Sequence, residues 1–170
     1  MSKEENYQIR HASLSDLDAV TELESQCFSK ADGATRESFQ ERLKVFPNHF
    51  WLLEKDGILV SMVNGMVTHN DTLEDEMYTN ANIHDEQGEW QMIFGVETRP
   101  DYQRRGFAEI LLKQVIADAR KQKRKGLVLT CKEHMVHYYE KFGFVNEGLS
   151  ESTHGGAEWY HMRYRMKIEF

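Results

Sequence analysis

Pro100-Asp101-Tyr102-Gln103-Arg104-Arg105-Gly106-Phe107-Ala108 is a polar turn that runs directly into an amphipathic helix, and this junction indicates the class of fold. Apolar residues then recur at helical spacing and predict one buried helix face: Ala108, Leu111, Leu112, Val115, Ile116 and Ala119. The first amides of a helix lack partners within it, and the helix dipole places about half a positive charge there. Residues 91–96 predict an apolar strand that leads to the same point. Strand, turn and helix together predict a diphosphate-binding site.

The composition indicates one folded domain over residues 1–170 and a small-molecule partner. A formal net charge of -7 argues against a general nucleic-acid binder, which would carry a basic surface. The 2 cysteines are too few for a zinc site or a disulfide framework, and they fit a reducing compartment. The chain has no apolar run of 18 or more residues. We therefore expect a cytoplasmic protein without a membrane or nucleic-acid partner.

Five elements are predicted before residue 70: a strand, two helices and the two strands of a hairpin. Residues 7–10 predict a strand, and Ser13 to Asp16 provide the start of a helix that ends near Cys27. A polar loop at residues 29–35 precedes a second helix, which Pro47 ends. Asp56-Gly57 lies between two apolar runs and predicts a hairpin.

The second half predicts two further strands and a short helix. Residues 70–88 are acidic and predict an exposed insertion, which is either a solvated surface or a feature that attracts a cationic substrate. Residues 127–131 predict a buried strand and residues 134–142 a helix, with Gly143 as its cap. Residues 159–166 alternate in polarity and predict a last strand.

Two common phosphate-binding motifs are absent. A P-loop needs Lys-Ser or Lys-Thr after its glycines, and a dinucleotide fingerprint needs Gly-x-Gly-x-x-Gly. The turn that ends at Ala108 has neither pattern.

The chain resembles the GNAT superfamily of acetyl-coenzyme A dependent N-acetyltransferases. Gln103 to Ala108 match that family's Gln/Arg-x-x-Gly-x-Gly/Ala turn, and Tyr138 to Phe144 match its aromatic-Tyr-x-x-x-Gly-Phe segment. Cys27-Phe28, Phe46-Pro47 and residues 131–144 look most like the arylalkylamine (serotonin) N-acetyltransferase branch. The resemblance implies a mixed α/β fold, with a mostly antiparallel central sheet, one splayed parallel strand pair and helices on both faces.

The resemblance also implies which residues hold acetyl-CoA. Strand amides from residue 94 to residue 98 would face pantetheine and the thioester, and the Gln103 side chain with the amides that follow it would hold the diphosphate. Arg104, Arg105 or Lys141 would meet the ribose phosphate. The full set implied for the cofactor is Phe94, Val96, Thr98, Gln103, Arg104, Arg105, Gly106, Phe107, Ala108 and Lys141.

Acetyl transfer to an amine needs a general acid and a route for the amine's proton. Tyr139 matches the family's acid, whereas Tyr138 is interpreted as a packing residue. The positions at which the family places its base are Met92 and Phe94, and neither can accept a proton. A water chain, Glu97 or His154 would then serve. The alternatives are that Glu97 is a solvated strand residue and that His154 is a turn residue.

The leading hypothesis is direct acetylation of a small primary amine. The alternatives are acetylation of a protein N-terminus or lysine, and a coenzyme A binding module without turnover. No metal is expected, because His134 and His137 have no third ligand nearby in the sequence. We do not expect an acyl group on Cys131. Assembly as a homodimer is left open.

Overall fold

The computed structural model describes residues 6–28, 33–152 and 157–167. Within these ranges the chain forms nine β-strands and five α-helices, linked by short 3-10 turns. In chain order they are β1 (Gln8–His11), α1 (Leu17–Cys27), α2 (Arg36–Val45), β2 (Phe50–Lys55), β3 (Ile58–Asn64), β4 (Val67–Thr68), α3 (Asp75–Thr79), β5 (Trp90–Ile93), β6 (Gly95–Thr98), α4 (Phe107–Lys121), β7 (Gly126–Cys131), α5 (Val136–Glu140), β8 (Val145–Leu149) and β9 (Tyr160–Arg165).

The strands form two ladders, in the orders β1-β2-β3-β6 and β4-β5-β7-β9-β8. The chain passes between the two ladders twice within a few residues: from β3 of the first ladder to β4 of the second, and from β5 of the second back to β6 of the first. Every pairing is antiparallel except that of β5 with β7. This arrangement confirms the predicted mixed α/β fold with one parallel strand pair.

The β2–β3 hairpin turns at Asp56 and Gly57, as the sequence predicts. Both residues have positive φ, 54° and 76°. Positive φ at both central residues is the conformation of a type I′ turn, whose twist matches that of the two strands it joins. Asp tolerates it and Gly does so freely.

Helices cover both faces of the sheet, and each face has its own buried cluster. On one face α4 packs with the predicted stripe, in which Leu111, Leu112 and Val115 are fully buried. On the other face α1 and α2 bury Leu23 and Phe39. The predicted stripe of α4 is therefore confirmed from Leu111 onward, whereas Ala108 is only half-buried and Phe107 is buried beside it.

The prediction that residues 70–88 form an exposed insertion is wrong for the apolar residues of this stretch, which are buried. Leu73, Met77 and Ala81 are buried in the same cluster as α1 and α2, and α3 lies among them. Met77 lies within α3, Leu73 lies two residues before the helix, and Ala81 begins the 3-10 turn that follows it. The acidic side chains around them are exposed.

The C-terminal part differs from its prediction in two places. Only residues Val136–Glu140 of the segment 134–142 are α-helical, and a 3-10 turn over Glu133–Met135 precedes them. Strand β8 was not predicted, because its residues do not alternate in polarity; it pairs with β9 at the edge of the sheet. No helix within the described ranges is long and apolar enough to cross a bilayer.

Candidate active site

The strand predicted over residues 91–96 is interrupted at Phe94, and the interruption opens the sheet. β5 pairs with β7 in parallel from Trp90 to Ile93, and β6 then pairs with β3 instead. The Phe94 amide donates to the Asn64 carbonyl at 2.7 Å, and Gly95 also stands opposite Asn64. Two residues facing one define a β-bulge, which bends the strand. β6 and the end of β7 therefore border a gap.

One edge of β6 pairs with β3, and the hydrogen bonds of that pairing fix which amides point from the other edge. The Arg99 amide donates to the Val60 carbonyl at 2.8 Å, so Arg99 and Val60 are a hydrogen-bonded pair. The next pair, Thr98 opposite Ser61, is therefore a non-hydrogen-bonded one. Because such positions alternate along an antiparallel ladder, Val96 is another. The N–H groups of Val96 and Thr98 thus point away from β3 and towards the gap. The Phe94 amide is already occupied by Asn64, so Phe94 is not retained as an amide donor.

The N-terminus of α4 has the geometry of an anion-binding site. Gly106 caps it with a φ of 84°, and Arg104 two residues earlier has a φ of 65°. Ile110 makes its helical bond to the Gly106 carbonyl at 3.0 Å, so the amides of Phe107 and Ala108 have no helical acceptor. Such a turn of alternating conformations directs successive N–H groups towards one point.

Side-chain contacts within the turn and to β6 hold its conformation. Gln103 donates its Nε2 hydrogen to the Thr98 carbonyl at 3.2 Å, which ties the turn to β6. The Arg105 guanidinium lies 5.3 Å from the ring centres of both Tyr102 and Phe107. Phe107 is buried, so only its backbone is available to a ligand. The Gln103 side chain and the cationic groups at positions 104, 105 and 141 stay predicted ligands.

A groove of about 510 Å³ lies between α4 and α5, on the outer side of the helices. Lys113, Arg120 and Lys141 line it together with Tyr138 and Glu109. Lys141 follows the last residue of α5, so its amine borders the groove.

Tyr139 is buried and lies on the inner side of α5. Its ring contacts Phe144 edge to face, with the ring centres 6.0 Å apart. Burial raises the pKa of Tyr139 far above its ordinary value, and the nearby Cys131 and Glu97 act in the same direction. The phenol therefore keeps its proton at neutral pH.

Glu97 is 3% exposed, so it is not a solvated strand residue. It projects from β6 to the face that α1 and α2 cover, where Glu24 and Arg42 are also buried. Burial and the adjacent Glu24 carboxyl raise the pKa of Glu97 well above its ordinary value. Cys27 is close by, and its thiol donates to the Thr98 carbonyl at 3.3 Å. His154, the other predicted base, lies outside the described residues.

Sequence reasoning did not find Glu24 and Arg42, although a signal was present. Glu24 falls on the apolar face of α1, four residues after Val20, and Arg42 falls between Phe39 and Phe46 on the apolar face of α2. A charged residue at a core position is costly unless it has partners.

His49, His84 and Glu86 form a cluster whose potential ligand atoms all lie within 4.8 Å of one another. The Val67 amide donates to Nδ1 of His84 at 3.0 Å, so the proton of a neutral His84 is on Nε2, which donates to Glu86 at 2.9 Å. Arg124 also donates to Glu86, at 2.9 Å. These contacts are those of a hydrogen-bonded network, since a metal ion would need a lone pair on Nε2 of His84.

Comparison with known proteins identifies the class. A family model described as an acetyltransferase (GNAT) domain matches residues 8–145. The chain therefore belongs to the GNAT acetyltransferase family, and it is an acetyl-CoA-dependent acetyltransferase of the GNAT type. Among curated protein sequences nothing matches significantly.

Solved structures with the same fold have low sequence identity. The loading GNATL domain of CurA from Lyngbya majuscula superimposes with a TM-score of 0.82 at 15% identity, covering 94% of this chain and 98% of that one. The GphF GNAT-like decarboxylase in complex with isobutyryl-CoA has a TM-score of 0.81 at 20% identity, covering 94% and 100%. The ribosomal-protein-S18-alanine N-acetyltransferase from Escherichia coli has a TM-score of 0.74 at 17% identity, covering 97% of each chain.

Proposed function

We propose that this enzyme transfers the acetyl group of acetyl-CoA directly to the amine of a small molecule. One observation supports the proposal. Three features border the gap between β6 and β7: the amides of β6, the N-terminus of α4, and the buried groups Tyr139 and Glu97. The first two suit an acyl-CoA, and the last two can move protons.

The backbone would perform most of the binding. The amides of Phe107 and Ala108 would hold the diphosphate, and the Val96 and Thr98 amides would hold pantetheine and the thioester carbonyl. A backbone donor aimed at that carbonyl stabilises the oxyanion that forms when the amine attacks, which is usually the largest catalytic contribution. The turn at Gly106 is already in the required conformation, so little reorganisation is needed.

Two side chains would handle the protons. An alkylamine with a pKa of about 10.4 is roughly 0.1% neutral at pH 7, so it must lose a proton before it attacks. Glu97 is the described group best placed to receive it. When the carbon–sulfur bond breaks, Tyr139 would donate its proton to the departing thiolate.

A buried acceptor site favours a small amine over a protein substrate. Glu24 and Glu97 are 7% and 3% exposed, under α1 and α2, so a protein backbone has little access to them. The matches to the arylalkylamine branch make arylalkylamines the first acceptors to test.

Release of coenzyme A thiol, measured with a panel of amines and with peptides, tests the proposal. We expect turnover with small primary amines, and none with peptides or without an acceptor. Tight acetyl-CoA binding without any turnover would contradict the proposal and favour a binding module. Turnover with peptides alone would favour protein acetylation.

The two free cysteines are consistent with our proposal of a cytoplasmic location. Cys131 is buried, Cys27 is half-buried and neither is paired. Burial raises the pKa of Cys131 to about 11, which keeps it a thiol and makes an acyl-cysteine intermediate unnecessary to the proposed route.

A further inference from the structure

Five buried side-chain nitrogen or oxygen atoms in the described part of the chain have no hydrogen-bond partner, and one of them belongs to a histidine that the proposed route does not use. This is Nε2 of His161 on β9, a residue that is 7% exposed. An unsatisfied buried polar atom costs free energy, so each one needs an explanation. The protonation and the position of His161 show which kind of group would satisfy it.

Two contacts make Nε2 of His161 a hydrogen-bond acceptor. Nδ1 lies 3.0 Å from Glu147 Oε1, and Arg163 donates from Nε to the other oxygen of that carboxyl at 2.9 Å. The Arg163 contact lowers the pKa of Glu147, so the carboxylate is ionised near neutral pH and can only accept. Burial lowers the pKa of His161, so its ring is neutral and carries one hydrogen. That hydrogen is on Nδ1, which leaves a lone pair on Nε2.

His161 projects to the face of the sheet that α1 and α2 cover. It stands opposite Thr130 of β7, and directly opposed residues of an antiparallel pair project to the same face. Arg163, two residues along β9, shares this face, where its guanidinium lies 4.8 Å from the ring centre of Trp90. Trp90 belongs to the buried cluster under α1 and α2. His161 therefore lies on the same face as the buried groups of the gap, one strand beyond β7.

Aromatic side chains connect His161 to the gap. The ring centre of Tyr78 is 4.7 Å from that of Phe94 at the bulge, and the Tyr78 hydroxyl is 3.4 Å from Thr130 Oγ1. The Arg42 guanidinium lies 4.6 Å from the same Phe94 ring centre. A continuous row thus leads from Arg42 through Phe94, Tyr78 and Thr130 to His161. Apolar rings with one polar atom at the far end are typical of a small-molecule site.

We propose that His161 is a specificity-determining residue for the acceptor, and that its Nε2 accepts a hydrogen bond from an O–H or N–H group at the end of the acceptor remote from the reacting amine. The inference rests on the proposed function and adds a substrate class to it. The reacting amine would lie beside β6 near Glu97, and the remote end would lie over β7. The acceptor is then a primary amine with an uncharged hydrogen-bond donor at its other end.

The charges around His161 explain why the remote group is uncharged. Glu147 from β8, Arg163 from β9 and Asp71 from the loop before α3 act on the ring. Arg163 already balances Glu147, whereas Asp71 is exposed and has the weakest effect. A second ammonium would therefore lack a buried counter-ion, and a carboxylate has no hydrogen to donate. A hydroxyl or a neutral N–H group meets both conditions.

Nitrogen NMR of the histidine side chains tests the protonation of His161 without a substrate. Near neutral pH we expect a protonated Nδ1 and an unprotonated Nε2, with the signals assigned through their loss in His161→Gln. A protonated Nε2 would overturn the inference, because that atom could not then accept a hydrogen bond. The measurement does not depend on turnover.

Two pairs of amines, each differing by one hydroxyl group, test the substrate class: tyramine with phenethylamine, and aminohexanol with hexylamine. The hydroxylated member of at least one pair should have a kcat/KM about 10- to 100-fold higher, the range for leaving a buried polar atom unpaired. Equal values within both pairs, or turnover of other amines only, would overturn this inference and leave the proposed function standing. Absence of acetylation of any amine would overturn both.

Variants of His161 separate recognition from a structural role. His161→Phe should remove the preference by slowing the hydroxylated amine, with the other amine of the pair nearly unaffected. His161→Gln has an amide oxygen that can accept, so it should keep part of the preference, and it serves as the test where phenylalanine disturbs folding. His137→Phe is the matched control, because His137 is 82% exposed on α5 and its removal should keep the wild-type preference. A full preference in both His161 variants would overturn the inference.

Discussion

The rings of Tyr138 and Tyr139 meet edge to face with their centres 5.1 Å apart, yet the two side chains lie on different sides of α5. Tyr138 lines the outer groove, whereas Tyr139 is buried against Phe144. Neighbouring residues of a helix point about 100° apart, which explains the division. Replacing each tyrosine by phenylalanine therefore removes the same hydroxyl group from one side of the helix or from the other.

We expect Tyr139→Phe to lower kcat by roughly 10²- to 10⁴-fold, the usual contribution of a general acid, with an unchanged dissociation constant for coenzyme A. Tyr138→Phe should keep nearly wild-type turnover. Steady-state kinetics and calorimetry of both variants check this. Equal turnover in the two variants would remove the acid role from Tyr139.

The second prediction concerns Gly106, which has a matched counterpart in Gly148. Their φ values are 84° and 97°, and a Cβ atom at either position would meet nothing within 4 Å. Alanine should therefore lower the free energy of unfolding by about 1–2 kcal/mol in each case, because of the backbone conformation alone. Only Gly106→Ala should weaken coenzyme A binding in calorimetry, since its new methyl group would lie at the entrance to the α4 amides. Similar affinity in the two variants would argue against a diphosphate at this turn.

The third prediction concerns Gly95, which leaves space for the Glu97 carboxyl. A Cβ atom at Gly95 would lie 2.7 Å from Glu97 Oε1. Since that oxygen ends a flexible side chain, Gly95→Ala should displace the carboxyl with little loss of stability. We expect kcat/KM to fall by about 10- to 100-fold, as for a misplaced catalytic group.

A double-mutant cycle provides the control for Gly95. In the Glu97→Gln background the additional Gly95→Ala change should cost far less, because the carboxylate it displaces is already gone. Fully additive losses would show that Gly95 acts by another route, such as the geometry of the bulge.

The fourth prediction concerns the stability of the N-terminal strand. Asp16 accepts two hydrogen bonds from Arg10, at 2.7 and 3.0 Å, and one from the Ser13 amide at 2.9 Å. These contacts hold the pKa of Asp16 below its ordinary value. The stability that they contribute is therefore complete above the unfolded-state pKa of about 3.9 and is lost as the pH falls through the lower folded-state value.

Asp16→Asn should lower the free energy of unfolding by roughly 1–3 kcal/mol at pH 7, the range for hydrogen bonds to a charged group. The difference from the wild type should begin to shrink below about pH 4, where Asp16 becomes protonated in the unfolded state, and it should vanish below the lower folded-state pKa. Asp18→Asn is the control, because Asp18 is highly exposed. Urea denaturation at the two pH values measures both variants, and a difference that does not change with pH would contradict the assigned cause.

Local patterns were sufficient for the elements that carry strong periodicity or turn chemistry. The stripe of α4, the Asp56-Gly57 hairpin and the strand at β7 were each predicted and are present. The signals are local, since a helix face repeats every three to four residues and a two-residue turn needs particular φ values. Residues 70–88 were misjudged because acidic composition outweighed three apolar residues spaced for burial.

Residues close together in the chain were sufficient to predict the family, to predict a diphosphate site at the Gln103–Ala108 turn and to select Tyr139 as the acid to test. The break of the strand at Phe94 could not be predicted from them, since it depends on the approach of Asn64 from β3. The burial of Glu97 beside Glu24 and Arg42 could not be predicted either. Three elements distant in sequence bring these charges together, and no single segment encodes the burial and proximity that raise the pKa of Glu97.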